Sequence, residues 1–430
     1  MISRFGLMAA ASVLAIASSP AVAVELNILV TSGYSPAAGF VPAAEIHQRL
    51  YEEFQQENPD ITLKYELLDP GPTGLQKLLT LASSNNLPDA VIVDGQWIAR
   101  LVQSDVLQSL DTYWPAEDRA DFHPAVIDAE TIDGKPYAVM FQTGMRGLLY
   151  RPSTLQAIGL DEFPKTVDEM MAAAEQLKAQ GMSAEMVPAK ATDEPSTMHM
   201  LAIYWGLGGE LVDAEGAPIF FEGENAAHLA QVYQMYHDLV ASGAMLADVT
   251  TMDEGALRPY FYGGEVLAIG GSSSGVKQMW SELPDLENDM SVAPYPMPVA
   301  GTEPVTILGG FAYGLTVKDP ERAEAAWKFI EFMTESENLG EVCEALGILP
   351  VRSSIWENNT FFSTTPIMQS YRKLYDGNMK TRPAVPIYTA ISSAISSQLA
   401  GVISGAISPE DAVLAARDAV MPEYERQTTR

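Results

Sequence analysis

At 430 residues the chain is too long for one comfortable core, and two lobes of roughly 150–200 residues each are the expectation. Apolar residues make up 47% of it and charged residues 19%, which excludes a disordered chain. A formal charge of −31, from 56 acidic and 25 basic side chains, opposes binding to nucleic acid or anionic lipid and favours a solvated surface.

Residues 1–23 read as a cleaved secretory leader. Arg4 supplies the positive start, Leu7 to Ile16 the apolar run, and Ala21-Val22-Ala23 the small-residue cleavage site. That run is half of the roughly 20 residues a membrane-spanning helix needs, so no membrane-embedded segment is expected. Without Arg4, the 24 basic and 56 acidic residues that remain leave −32. Cys343 is the only cysteine, so no internal disulfide forms and no cysteine follows the cleavage site to carry a lipid. Export without bridges or anchor points to the periplasm, with Cys343 a small buried apolar residue.

Strands and helices then alternate. Leu26, Ile28 and Val30 alternate as a strand that breaks at Thr31 to Pro36. Pro42 to Asn58 is helical, with Ile46, Leu50 and Phe54 four residues apart and Asn58-Pro59 as the stop. Ile61, Leu63, Tyr65 and Leu67 form a second strand, Thr73 to Ser84 a helix, and Ala90 to Val93 a third strand that runs into Asp94-Gly95-Gln96-Trp97. Short apolar strands separated by helices argue a parallel sheet covered on both faces.

The stretch Asp133 to Pro152 breaks this rhythm. After the Asp133-Gly134 turn, two apolar runs, 137–141 and 148–150, flank the polar Gln142 to Gly147. A strand that hesitates and resumes fits a chain leaving one lobe for another, and it equally fits a hairpin or bulge. Beyond it, Thr166 and Glu169 form a capping box for a helix to Gln180. Asn225 to Ser242 is a striped helix, and Glu265 to Gly270 a strand. The proline-rich Ser291 to Pro304 is a second crossover candidate. Asp319-Pro320 then opens a helix with Trp327, Ile330 and Met333 on its buried side.

Four strand ends share one chemistry: Ser32-Gly33-Tyr34, Asp94-Gly95-Gln96-Trp97, Phe141-Gln142-Thr143 and Gly271-Ser272-Ser273-Ser274. Ligands of open α/β sheets sit beyond the carboxyl ends of the strands. Aromatic faces beside neutral donors and acceptors suit a polyhydroxylated ligand, since sugar C–H faces stack on rings while hydroxyls pair with polar groups. Gly271 to Gly275 also spells the G-x-S-x-G elbow of hydrolases, but all five histidines precede Ser273, the wrong order for that triad. His228 and His237 are nine apart, not the three or four that puts two metal ligands on one helical face. No P-loop or dinucleotide fingerprint is present. Neither a catalytic set, a metal site nor a cofactor is expected.

The chain resembles the extracellular solute-binding proteins of bacterial ABC importers, the carbohydrate-binding type related to maltose-binding protein. The resemblance is carried by Asn86-Leu87-Pro88-Asp89-Ala90-Val91-Ile92-Val93-Asp94; by Asp133 to Val139 with Leu148-Leu149-Tyr150; by Phe261 to Ser272; by Leu308 to Ala312; by Ala325 to Met333; and by Gly347-Ile348-Leu349-Pro350-Val351-Arg352. It implies an α/β, two-lobed periplasmic-binding-protein fold of type II, a cleft between lobes joined by hinge strands, and no catalysis. The implied lobes are 24–142 plus 293–318, and 147–290 plus 319–430. By position the resemblance lines the cleft with Tyr34, Asp94, Gln96, Trp97, Gln142, Thr143, His199, Trp205, Ser272, Ser273, Gly310, Phe311 and Tyr313. Gly144 stands where maltose binders carry an acidic residue, and Met198-His199 where they carry Glu and Tyr.

The implied protein is a monomer that hands a mono- or disaccharide or a polyol to the permease subunits of an ABC transporter. Relatives that take glycerol 3-phosphate share Ser273-Ser274-Gly275 and Gly377-Asn378-Met379 near an arginine, so Arg382 is the candidate cation for a phosphate. Two rival readings stay open: a secreted enzyme acting on polysaccharide, and a binding protein that serves a sensor.

Overall fold

The computed structural model describes residues 23–429; the expected leader, apart from Ala23, lies outside the described residues. Two separate sheets organise the chain. In the first, spatial order runs Ile61–Leu68, Val24–Thr31, Ala90–Asp94, Phe311–Leu315, Ala138–Met140. The first three strands are parallel, as their alternation with helices implies. The last two are antiparallel to their neighbours, which corrects the all-parallel expectation. The reason is topological: Phe311–Leu315 re-enters the sheet from the second lobe and so runs opposite to Ala90–Asp94, pairing Phe311 with Asp94.

The second sheet runs Ser291–Ala293, Arg146–Tyr150, Val266–Ser272, Ser183–Met186. Arg146 pairs with Ser272 and Leu149 with Ile269, so the strand that resumes after the polar gap belongs to this sheet and not to the first. Three backbone segments cross between the lobes side by side. The N–H of Phe141 donates to Phe311 O (3.1 Å), that of Thr143 to Leu349 O (3.0 Å) and that of Gly144 to Gly309 O (2.6 Å). The polar gap is therefore a lobe junction, not a hairpin.

Local signals hold where they are strong. Helix Val41–Glu57 carries Pro at its first turn and buries Leu50, Tyr51 and Phe54. Helix Val167–Lys178 has both halves of the Thr166/Glu169 capping box, and Asp319 caps Pro320–Thr334 by accepting from the N–H of Arg322. That last helix and the next, Ser336–Leu346, correct the expected lobe boundary, because they pack on the first lobe. Phe329 sits 5.4 Å from Tyr51 and 5.3 Å from Phe54 between ring centroids, and Arg49 pairs with Glu341. Trp327 lies 6.0 Å from Tyr113, between ring centroids, and Phe332 5.5 Å from Phe54, so the apolar residues of this helix find their partners in the first lobe. Helix Pro366–Tyr375 returns to the second lobe, against Ser291–Ala293. Cys343 is fully buried, its thiol pushed well up by burial.

Candidate functional site

Between the lobes lies a cavity of about 370 Å³, walled by ends of both sheets. The first lobe contributes the turn after each strand: Tyr34 after Val24–Thr31, and Asp94, Gln96 and Trp97 after Ala90–Asp94. Gln142, Gly144, Gly309 and Gly310 line it from the crossing segments, and Ser272 and Ser274 from the end of Val266–Ser272. Its apolar side is built from rings. Tyr34 stands edge-on to Phe141 at 5.0 Å and tilted against Phe311 at 5.2 Å.

Asp94 is held in place twice. Its Oδ1 caps the following turn by accepting from the N–H of Gln96 (3.0 Å), and it also accepts from Nη2 of Arg382 (2.8 Å). Nη1 of Arg382 donates to Glu194 Oε1 at 3.3 Å. Glu194 is the first residue of helix Glu194–Gly206 in the second lobe, after the N-cap Asp193. Tyr388 (2.7 Å) and Ser392 also donate to Glu194. Burial works against the charge on Arg382, but the two carboxylates outweigh it and hold its proton above the usual arginine range. Burial pushes the Glu194 carboxyl up, and Arg382, Ser392 and Tyr388 return only part of that rise.

A second arginine, Arg146, also lines the cavity. Its Nε donates to Glu254 Oε1 at 2.6 Å, and the same oxygen lies 3.1 Å from Nε2 of His199. Nδ1 of His199 bonds Tyr295. Burial pulls the His199 pKa down, against the opposing pull of the Glu254 carboxylate. Burial alone would raise Glu254, but Arg146 and His199 bring it down to about 2. Gln142 has a buried Oε1 without a hydrogen-bond partner among the described residues, in the wall of the cavity.

Of the residues expected here from sequence, Tyr34, Asp94, Gln96, Trp97, Gln142, Ser272, Gly310, Phe311 and Arg382 line the cavity. Five do not. Thr143 is fully buried and donates to Gly309 O (3.2 Å), a hinge role. Ser273 is fully buried and accepts from the N–H of Met145 (3.3 Å). His199 is a buried partner behind Arg146. Tyr313 points into the first-lobe core, against Phe141 and Phe329. Trp205 is 5% exposed, with Lys380 over its ring at 5.1 Å, one helical turn and more from the cavity-lining Met198. Ser273 opens the short helical turn Ser273–Gly275 beyond its strand and is buried between Ser272 and Ser274, while Tyr313 shares the Phe311 face of strand Phe311–Leu315 but lies two residues deeper, within the core.

Arg146 and Glu194 also line the cavity, and neither is among the residues expected from sequence. Arg146 lies in plain view inside the polar gap. Glu194 belongs to a helix-start signature, Asp193-Glu194-Pro195-Ser196, and a helix start beside a cleft is a usable signal.

Two lobes, three crossing segments and a polar cavity with aromatic walls at the junction define the two-lobed binding-protein class. Comparison with known proteins places the chain within it. The family profile of bacterial extracellular solute-binding proteins matches residues 37–339, and the chain belongs to that family. A binding protein of Brucella abortus is 25% identical over 354 residues, 81% of each chain. The diacetylchitobiose binding protein DasA of Streptomyces coelicolor is 22% identical over 291 residues, 66% of this chain and 65% of that one. Among solved structures, maltose-bound MalE3 of T. maritima superposes with a TM-score of 0.78 at 24% identity, covering 92% of this chain and 99% of that one. The sugar-binding protein MalE of Xanthomonas citri gives 0.79 at 20% identity, covering 94% and 99%. At these identities the structural likeness speaks for the fold.

Proposed function

We infer that the chain is the periplasmic substrate-binding component of an ABC importer, and that its cleft takes a neutral mono- or disaccharide or polyol for delivery to the permease. The engagement of both cavity arginines carries this reading. Arg382 is held by Asp94 and Glu194, and Arg146 by Glu254. A phosphate or carboxylate ligand would need a cation not already neutralised. A neutral polyol needs what remains: the unpaired oxygen of Gln142, the hydroxyls of Ser272 and Ser274, and the faces of Tyr34, Trp97 and Phe311. The volume of about 370 Å³ lies at the small end of ligand pockets, roughly 300–1,000 Å³.

Asp94 and Glu194 share one arginine, which suits a binder rather than an acid/base pair. Ligand bridging the two lobes would favour the closed form by its higher affinity for it, and the permease would read closure.

A thermal-shift screen of sugars, polyols and glycerol phosphates tests this. A ligand at about 100 times its Kd adds roughly 2.7 kcal/mol, a shift of several degrees. A response to neutral sugars or polyols is expected; a response to phosphates alone would overturn the reading. A turnover assay on glycans is expected to stay blank.

A further inference from the structure

Strand Ile61–Leu68 forms an edge of the first sheet and pairs along its whole length with Val24–Thr31 alone. The N–H of Val24 donates to Asp60 O (2.8 Å), so the even-numbered edge residues turn their backbone toward Val24–Thr31 and the odd-numbered ones turn theirs outward. Of the outward groups, the Leu63 N–H donates to Gln55 Oε1 (3.2 Å), whereas those of Tyr65 and Leu67 have no partner among the described residues. Leu63, Tyr65 and Leu67 also share one face of the strand. Five large apolar side chains are exposed among the described residues, and two of them sit here, Tyr65 at 38% and Leu67 at 46%. Free edges of this kind recruit other strands unless proline, a bulge or charge guards them. No proline or bulge interrupts Ile61–Leu68, and its guard is the charged pair Lys64 and Glu66.

That guard is self-complementary. Outward backbone on odd-numbered residues allows antiparallel pairing with an identical strand about Lys64, Tyr65 or Glu66. Centring on Lys64 or on Glu66 sets like charges face to face, which opposes pairing. Centring on Tyr65 sets Lys64 opposite Glu66 of the other copy twice, Leu63 opposite Leu67 twice, and Tyr65 opposite itself. Lys64 and Glu66 then occupy the non-hydrogen-bonded positions, where cross-strand side chains approach most closely. Within one chain Lys64 already pairs with Glu25, and Glu66 with Lys77 at 3.7 Å. Across the two copies these pairs join into two rows of alternating sign, Glu25, Lys64, Glu66, Lys77.

We propose that this edge pairs with the same edge of a second copy of the chain, antiparallel and centred on Tyr65, in a two-fold dimer whose first sheets run on as one. A two-fold contact needs such a self-complementary patch. The dimer is independent of what the cleft binds, and it departs from the monomer that the family resemblance implies.

The test is sedimentation of the purified protein over a micromolar to millimolar concentration series. About 150 mM salt screens the mutual repulsion of two chains of charge −31 beyond roughly 8 Å and leaves contact pairs in place. The parent is expected to pass from one chain to two across the series. Lys64→Glu and Glu66→Lys each set like charges opposite one another at both pairs, and each is expected to weaken the dimer about ten-fold or more. The two side chains are 56% and 78% exposed, so folding is not at stake. An equimolar mixture of the two variants restores opposite charges at both pairs and is expected to dimerise as the parent does. A parent that stays single at every concentration overturns the proposal and leaves the edge to a foreign strand or to none. A parent dimer that neither variant weakens also overturns it, and places the contact elsewhere on the molecule. Weakened variants whose mixture stays single overturn the register centred on Tyr65.

Discussion

Asp94 and Arg382 meet at 2.8 Å in the cleft although 288 residues separate them, and Arg382 reaches on to Glu194 in the second lobe. One guanidinium thus ties the end of a first-lobe strand to the start of a second-lobe helix. Both carboxylates are mostly shielded, with side chains 17% and 18% exposed, and that of Arg382 is 6% exposed. In such surroundings, removing one partner costs more than the pair contributes, because the other charge stays behind.

Arg382→Gln is therefore expected to cost about 3 kcal/mol of stability at pH 8. The cost shrinks at pH 5, where Glu194, already inclined to hold a proton, is neutralised more readily. A double-mutant cycle with Asp94→Asn, read by urea unfolding, should show a coupling of about 1 kcal/mol or more. Additive losses would mean that the contact does not hold the lobes.

The aromatic residues divide by position. Phe311 is partly exposed in the cavity, whereas Trp205 is buried beneath Lys380. Phe311→Ala should weaken sugar binding by about 1 kcal/mol, roughly five-fold, with little change in melting temperature. Trp205→Ala should instead cost about 3 kcal/mol of stability while the affinity of the folded protein holds. Calorimetry and thermal unfolding on the two variants separate these outcomes; a large affinity loss in the Trp205 variant would return it to the site.

Gly310 lets the crossing segments lie flat against each other. A Cβ there would stand 1.9 Å from the carbonyl oxygen of Gln142, closer than any real contact, whereas one on Gly33, in the turn that carries Tyr34, would meet nothing within 4 Å. Gly310→Ala should cost more than about 2 kcal/mol, as overpacking does, and weaken ligand binding with it. Gly33→Ala should leave both unchanged. Equal behaviour of the two in unfolding and calorimetry would show that the hinge has slack.

Much of the fold was legible because its signals are local. The capping box at Thr166 and Glu169, the Asp319-Pro320 helix start and the polar gap at Gln142 to Gly147 each depend on a few adjacent residues. The lobe to which residues 319–346 belong was not legible, since it depends on which apolar face Phe329 finds, and Phe54 lies far away in sequence. The site divides the same way. Strand ends gave Tyr34, Asp94 and Ser272, but Ser273 is buried in the short helical turn after its strand and Tyr313 lies too deep along its own to reach the cavity, and no local pattern carries either fact. Arg146 carried no motif. Its place in the cavity follows from its pairing with Glu254, which only the fold brings near.

Glu185 gives a pH signature independent of the cleft. It lies buried on strand Ser183–Met186, its Oε2 has no partner among the described residues, and burial pushes its carboxyl up to about 7. An ordinary glutamate titrates near 4.3, so between the two values the folded state keeps a proton that the unfolded chain has lost. Stability from this group is therefore fully present below about pH 4.3 and is lost as pH rises through about 7. Glu185→Gln keeps a neutral side chain of the same shape and removes the titration. Subtracting the variant's unfolding free energy from that of the parent cancels every other group, including buried His47, whose imidazole is pulled down to about 4 and gives a slope of opposite sign. The difference is expected to favour the parent more at pH 5 than at pH 8, by about 2–3 kcal/mol. Urea unfolding at pH 5, 6, 7 and 8 measures it, and a difference that stays level across that range would show that Glu185 is ionised in the folded protein and has found a partner or water.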